Sequence, residues 1–313
     1  MLVVAGRRKM MTKLFLMIGL PASGKSTLAE QISKSEDAEI VSSDNIRKEL
    51  YGDENIQGDN NKVFRILQER IINGLKNNKN MIYDATNISY KTRMAFLQRL
   101  NKLEVEKIAV MVATPYEDCL IRNAQRERKV PEEVIKRMYN NFYVPQYFEG
   151  FDDIQIKYTN DYMFFFSDLE DIKQDNPHHS LTVLEHCKKT EEILQKDNKR
   201  LSIPINFAGR LHDIGKLKTK TFINVKGETT DIAHYYNHEK VSAYDSLFYI
   251  NLRSRVEVML DKEFVLETIK LIQWHMLPWT KMSEKTEQKY KKLLGEIFWN
   301  DLMILHKADE EAH

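Results

Sequence analysis

Cysteine is nearly missing from this 313-residue chain, with only Cys119 and Cys187 present, far apart and outside any Cys-x-x-Cys spacing. That excludes a disulfide framework and a cysteine metal knuckle, and it suits a reducing cytoplasm, the expected location. No apolar run approaches the roughly 20 residues that a membrane helix needs, so no membrane partner is expected. A secretory leader is not expected either, because Arg7-Arg8-Lys9 follows the apolar Met1-Leu2-Val3-Val4, the reverse of a signal peptide's order. Residues 1–11 read as a loose extension, with Met10 or Met11 as a candidate start. A dominant charge is also lacking: 47 basic residues meet 46 acidic ones. Residues 1–153 hold 24 basic against 21 acidic side chains and residues 154–313 hold 23 against 25, a slight lean of the first half toward a polyanionic ligand. Internal repeats and low-complexity tracts are absent.

The length favours two domains. In the first half, β-rich runs at 13–18, 39–42, 80–84 and 106–112 alternate with helical spacing at 25–34, 60–77, 89–102 and 116–127. This order predicts a parallel sheet with helices on both faces. Pro131, followed by Glu132 and Glu133, opens a further helix expected to reach about Phe148. Residues 154–166 alternate and end in the aromatic run Tyr162 to Phe166, a buried strand or interdomain seam. Asp175-Asn176-Pro177 marks a boundary, and beyond it an all-α domain is expected. The expected division is therefore 12–153, a connecting segment 154–176, and 177–313.

Gly19-Leu20-Pro21-Ala22-Ser23-Gly24-Lys25-Ser26-Thr27 fits GxxxxGK[ST] directly after the apolar run Leu14 to Ile18. A strand feeding a glycine-rich turn and then a helix makes a phosphate cradle. Gly19 and Gly24 let amide groups point inward, Lys25 reaches the terminal phosphates and Ser26 takes Mg²⁺. Ser23 and Thr27 complete the ATP-binding loop. Past the second strand lies Ser42-Ser43-Asp44-Asn45-Ile46-Arg47, at the edge where open α/β sheets bind ligands. Asp44 there could accept the proton of an attacking hydroxyl, or cap a helix from Asn45 to Tyr51; Arg47 could hold an acceptor phosphate. Asp84, at the exit of the third strand, could hold Mg²⁺ through water, touch the acceptor together with Asn87, or serve only as a turn residue. Arg122, Arg126 and Lys129 have helical spacing, beside Arg128, and predict a cationic lid, or alternatively a solvated face.

Through GLPASGKST (19–27), SSDNIR (42–47), IYDATN (82–87) and RNAQRERKVP (122–131), the first half resembles the 5′-polynucleotide kinase family of RNA repair over about residues 12–150. The resemblance implies ATP and Mg²⁺, a general base at Asp44, an acceptor-side arginine at Arg47, and lid arginines at Arg122 and Arg126.

In the second half, His212-Asp213 sets an imidazole beside a carboxylate, with Gly215 suited to a helix stop and His186 and Asp309 on helical patterns either side. Two histidines and two carboxylates form a mixed site for Mn²⁺, Fe²⁺, Co²⁺, Ni²⁺, Mg²⁺ or Zn²⁺. The ordered set NPHHSLTVLEHC (176–187), LHDIGK (211–216), YNHEKVSA (236–243), WHM (274–276) and HKADEEAH (306–313) resembles the HD phosphohydrolase superfamily, as in bacterial CCA-adding enzymes. The resemblance implies a ligand set of His186, His212, Asp213 and Asp309, with His179 as an alternative first ligand. His238 and His275 are candidates for a second metal or a phosphate contact, and Lys216 for a phosphate contact.

Together the two resemblances imply a bifunctional end-healing enzyme acting on RNA or DNA, with a 5′-hydroxyl kinase and a 2′- or 3′-phosphatase that also opens 2′,3′-cyclic phosphates, and with a separate RNA ligase as a candidate partner. The alternatives are a nucleoside or other small-molecule kinase joined to a nucleotidase, and a kinase carrying a non-catalytic HD binding module.

Overall fold

A computed structural model describes residues 11–56, 58–160, 172–175, 181–197, 203–256 and 260–313. Five strands, β1 (Thr12–Ile18), β2 (Ala38–Ser42), β3 (Asn80–Asp84), β4 (Val105–Ala113) and β5 (Asp153–Tyr158), form one sheet in the order β2-β3-β1-β4-β5, every pair parallel. Parallel strands need crossovers, and these are supplied by α1 (Lys25–Glu36), α2 (Ser43–Tyr51), α3 (Asn60–Lys76), α4 (Tyr90–Gln98), α5 (Tyr116–Gln125) and α6 (Glu132–Asn140). The period-2 alternation of β1 divides its side chains between two layers. Phe15 and Met17 pack with Ala29 of α1, whereas Leu14, Leu16 and Ile18 join a larger cluster containing Val63, Leu67 and Ile71 of α3.

The helix after Pro131 ends at Asn140, short of the expected Phe148; only Tyr147–Glu149 coils again, as one 3-10 turn. Residues in this stretch are taken up by long-range bonds. Tyr143 N–H donates to Ile88 O, Val144 N–H to Gln273 Oε1, and Gln146 Nε2 to Leu266 O. The segment thus lies between the two halves.

The second half contains α7 (Val183–Asp197), α8 (Ile203–Leu211), α9 (Lys216–Thr219), α10 (His238–Val256), α11 (Lys262–Trp274), α12 (Glu284–Leu294) and α13 (Glu296–Glu311). It is mainly helical but not all-α. An antiparallel hairpin of β6 (Lys220–Ile223) and β7 (Thr229–Tyr235) interrupts it. Its turn uses Gly227 at φ 83°, and Asn224 Oδ1 accepts from the Lys226 and Glu228 amides, a local signal that helical periodicity does not register. Gly215 is not a left-handed helix stop, because its φ is −66°. It is required by close packing: a Cβ there would lie 2.4 Å from His238 O and 2.6 Å from Ser242 N.

The aromatic run Tyr162 to Phe166, the boundary residues Asn176 and Pro177, and His178 and His179 lie outside the described residues. No helix among the described residues is long and apolar enough to cross a membrane.

Candidate functional site

The C-terminal edge of the sheet collects the first site. β1 runs into the glycine-rich loop, where Gly19 N–H donates to Thr86 O (3.1 Å) and Gly24 takes φ 95°. A Cβ at Gly19 would come within 2.8 Å of Ser23 Oγ and 3.0 Å of Val112 O. Gly24 caps α1 without a side-chain bond, so the helix's first amides face the loop, a favourable place for an anion. Lys25 is buried, and its ammonium donates to Leu20 O (2.7 Å). Burial pulls its pKa below the ordinary lysine value, against the pull of Asp84. An anionic phosphate would relieve that desolvation.

Ser26 Oγ donates to Asp84 Oδ2 at 2.9 Å. A P-loop hydroxyl beside a strand-end carboxylate is the pair that fits Mg²⁺. Burial raises the Asp84 pKa, opposed by Lys25. Asp84 is thus placed beside the phosphate-loop hydroxyl. Asn87, at φ 46°, donates its amide Nδ2 to Met17 O (2.8 Å).

Beside the cradle, a second group of side chains is assembled around Asp44. Ser42, not Asp44, caps α2, accepting from the Asp44 amide, so the Asp44 carboxylate projects from the first turn. Arg47 Nη1 meets Asp44 Oδ1 at 3.0 Å, and Arg128 Nη1 meets Asp44 Oδ2 at 2.7 Å, while the Asp44 side chain stays 43% exposed. Two guanidinium groups thus fix an accessible carboxylate near the cradle.

The expected continuous lid face is broken. α5 stops at Gln125 and Arg126 is already extended, because Asn123 bonds both the N–H and the C=O of Val130 and closes the loop. Arg122 remains on α5, with Nη1 3.4 Å from Ser23 O, whereas Arg126 and Lys129 lie in the loop. Arg128, which was expected only as part of a charge run, is the loop cation that reaches Asp44. A helical wheel cannot show this, since the contact depends on the helix ending.

The second site joins α7, α8, α10, α11 and α13. His186, His212 and Asp309 form one buried group, and Asp213, His238 and His275 another, each with ligand atoms within 4.8 Å of one another. His186 Nε2 and His212 Nε2 lie 3.2 Å apart, as do His238 Nε2 and His275 Nε2. Asp213 stands between the groups. Its Oδ2 is 3.4 Å from His186 and 3.5 Å from His212, and its Oδ1 is 3.0 Å from His238 and 3.7 Å from His275. Asp213 thus bridges the group that holds its sequence neighbour His212 and the group of His238 and His275.

Three of the rings are oriented alike. Nδ1 of His212, His238 and His275 lies 2.9, 2.8 and 2.7 Å from the carbonyls of Gly209, Tyr235 and Ile272, each three residues earlier. A carbonyl only accepts, so each Nδ1 carries a proton and Nε2 is the atom turned inward, free to offer its lone pair to a cation once it is deprotonated. Converging imidazole nitrogens and carboxylates form a mixed nitrogen and oxygen donor set that fits a divalent transition metal or Mg²⁺. Burial opposes charging His212, but Asp213 and Asp309 outweigh it and push its pKa up to about 9. Burial likewise opposes ionisation of Asp213 and Asp309, yet Lys216 and His212 hold the first, and His212 and His186 the second, well below the usual carboxylate range. Lys216 Nζ meets Asp213 Oδ2 at 2.6 Å and Gln174 Oε1 at 2.7 Å. His313, which the sequence reading passed over, stacks on His186 at 4.9 Å; its i+4 relation to Asp309 was the available signal.

The halves are joined behind the cradle. Thr114 Oγ1 donates to Ser23 O in the phosphate loop (2.8 Å), and Thr114 O accepts from Tyr244 of α10 (2.7 Å). Tyr139 donates to Asp245 Oδ2 (2.7 Å), which Lys218 approaches at 3.3 Å.

The parallel sheet, the phosphate cradle and the strand-edge carboxylates make the first half a P-loop kinase domain, a phosphotransferase that draws on ATP. The family model described as an AAA domain matches residues 14–145. Among curated proteins, the chain is similar to the L-seryl-tRNA(Sec) kinase of Methanococcus maripaludis, 28% identical over 221 residues that cover 66% of this chain and 83% of the relative. Among solved structures, a chain of the Pnkp1/Rnl/Hen1 RNA repair complex is 23% identical with a TM-score of 0.36, covering 41% of this chain and 43% of that one. A gluconokinase from Sinorhizobium meliloti 1021 is 15% identical with a TM-score of 0.35, covering 49% of this chain and 84% of that one.

Proposed function

We propose that the chain is a bifunctional nucleic-acid end-healing enzyme, with an ATP-dependent 5′-hydroxyl polynucleotide kinase in residues 12–153 and a divalent-metal phosphohydrolase of 2′- or 3′-phosphates, including 2′,3′-cyclic ones, in residues 177–313. The observation that carries this reading is the pairing in one chain of an accessible, doubly clamped Asp44 beside a phosphate cradle with a buried double histidine–carboxylate centre. Adding a 5′-phosphate and removing a 3′-phosphate are the two steps that make broken ends ligatable.

In the kinase half, Asp44 accepts the proton of the attacking hydroxyl, and Arg47 holds a phosphate of the acceptor strand. Gly19 to Thr27 and Lys25 cradle the nucleotide. Arg122 and Arg126 neutralise charge on the transferred phosphoryl group, and Ser26 with Asp84 would hold Mg²⁺. In the second half, His186, His212, Asp309 and Asp213 would hold one divalent cation, and Asp213, His238 and His275 a second. Such ions supply Lewis acidity and acidify a bound water. Lys216 orients the shared Asp213 carboxylate and lies where a phosphate oxygen would be bound.

The likeness to L-seryl-tRNA(Sec) kinase favours a second reading of the kinase activity, in which the acceptor is the free side-chain hydroxyl of a serine joined to tRNA through its carboxyl group. An acceptor panel with labelled ATP separates them: 5′-hydroxyl RNA and DNA oligomers, seryl-tRNA, free nucleosides and sugars. Labelling of 5′-hydroxyl oligomers, lost in Lys25→Ala, supports end healing. Labelling of seryl-tRNA alone, or of small molecules alone, refutes it.

A further inference from the structure

Three tryptophans occur in the chain, and two of them, Trp274 and Trp299, are buried at 5% exposure. Trp279 is 40% exposed. It sits four residues past His275, in a turn closed by the bond from Thr280 N–H to Leu277 O (3.1 Å), with Pro278 at the second position. Proline there pre-sets the backbone, so the indole is held by a stiff turn.

Its indole Nε1 donates to Asp309 Oδ2 at 3.2 Å, while Asp309 Oδ1 faces His186 at 3.0 Å and His212 at 3.4 Å. The indole therefore satisfies the outer oxygen of Asp309 and leaves the inner one to the cluster. His306 and His313 stand edge-to-face with the ring at 4.7 and 5.8 Å. A large aromatic surface anchored by its one polar atom, yet left 40% exposed one hydrogen bond from the buried histidine–carboxylate centre, is suited to stacking a planar ligand group.

We propose that Trp279 is a stacking platform for the base attached to the phosphate that enters the His186–His212–Asp309 and Asp213–His238–His275 groups, so that the second half selects nucleotides or nucleotide ends over simple phosphates. This rests on the phosphohydrolase reading of that half. Trp279 is a positioning and specificity residue; it takes no part in bond cleavage.

The test uses the full chain loaded with Mn²⁺ and titrated with adenosine 3′-phosphate or with inorganic phosphate, read by calorimetry and by tryptophan emission. The nucleotide is expected to bind more tightly than phosphate and to quench the emission of the exposed tryptophan. Because Trp279→Ala also removes the partner of Asp309 Oδ2, Mn²⁺ is raised until each variant is saturated; the variant should then lower the nucleotide-to-phosphate affinity ratio by about tenfold, the scale of one base–aromatic stack. Trp279→Phe, which keeps a ring without the N–H, should fall between. Equal loss for both ligands would show that the indole acts only through Asp309 and would overturn the platform, as would equal affinity of wild type for the two ligands. If wild type binds neither ligand, the phosphohydrolase reading fails and the platform with it.

Discussion

Asp213→Asn is the perturbation that the double centre makes most informative. The carboxylate is 2% exposed and faces four imidazoles, two from each oxygen, with Lys216 at 2.6 Å. Asparagine keeps the shape and removes the charge shared by both groups. Loss of an outer partner alone costs about 10- to 100-fold in metal affinity, so loss of a shared carboxylate should cost about 100-fold or more. At a Mn²⁺ concentration about 100 times the wild-type Kd, binding stabilises wild type by about 2.7 kcal/mol; the variant, then near its own Kd, gains only about 0.4 kcal/mol. Calorimetric titration reads the affinity directly, and thermal denaturation with and without Mn²⁺ reads the stabilisation. Both arms are needed, because the variant also leaves Lys216, itself 5% exposed, without its carboxylate, keeping Gln174 and the Tyr235 ring, which lowers metal-free stability. Undiminished Mn²⁺ affinity in Asp213→Asn would refute the bridging role.

Asp44→Asn should lower kinase kcat by about 10²- to 10⁴-fold with ATP affinity little changed, as loss of a general base implies; a rate within about tenfold of wild type would remove Asp44 from the chemistry. Glu149→Ala leaves the fully buried Arg93 guanidinium, held at 2.6 and 2.7 Å, without its carboxylate and should cost about 3 kcal/mol in stability; an unchanged melting profile would contradict that. Because Arg93 also donates to Asn87 O, the strand exit beside Asp84 should loosen. Burial pulls Lys270 down to about 8, although it donates to Leu294 O and lies 4.0 Å over Phe298. Its protonated form is therefore penalised in the fold below that pH, and stability should rise as pH climbs from about 8 toward the unfolded lysine value near 10.4. Lys270→Met should melt higher than wild type near pH 7, with the gain fading at alkaline pH; a gain independent of pH would assign the effect to packing.

Much of the first site was legible because its residues sit next to the elements that place them. A strand run, a glycine-rich turn and a helix follow one another at 14–27, and the exits of β2 and β3 carry Asp44 and Asp84 at the same sheet edge. All four expected strands, and the four helices expected between them, begin within one residue of their observed starts. What escaped depends on contacts distant in sequence. The break after Gln125 comes from an asparagine side chain competing for backbone partners, which spacing does not register. The hairpin at 220–235 is short and largely exposed, with too little burial to imprint a clean alternation. His186 is placed in the cluster by the packing of α7 on α8 and α13, and the brace from Ser23 through Thr114 to Tyr244 spans residues far apart in sequence. Sequence could name the residues that converge in the second site, but the bridging position of Asp213 between two groups follows from the turn after Leu211 and the approach of α10 at Gly215.

The most direct test is the mass of one RNA oligomer bearing a 5′-hydroxyl and a 3′-phosphate, followed during incubation with the full chain, ATP, Mg²⁺ and Mn²⁺. Two activities in one chain predict that the oligomer gains one phosphate and loses one, returning to its starting mass with the ends exchanged; Lys25→Ala should yield only the loss and Asp213→Ala only the gain. An oligomer that gains a phosphate but never loses one would contradict the hydrolytic half of the account, and one that gains none would contradict the polynucleotide acceptor.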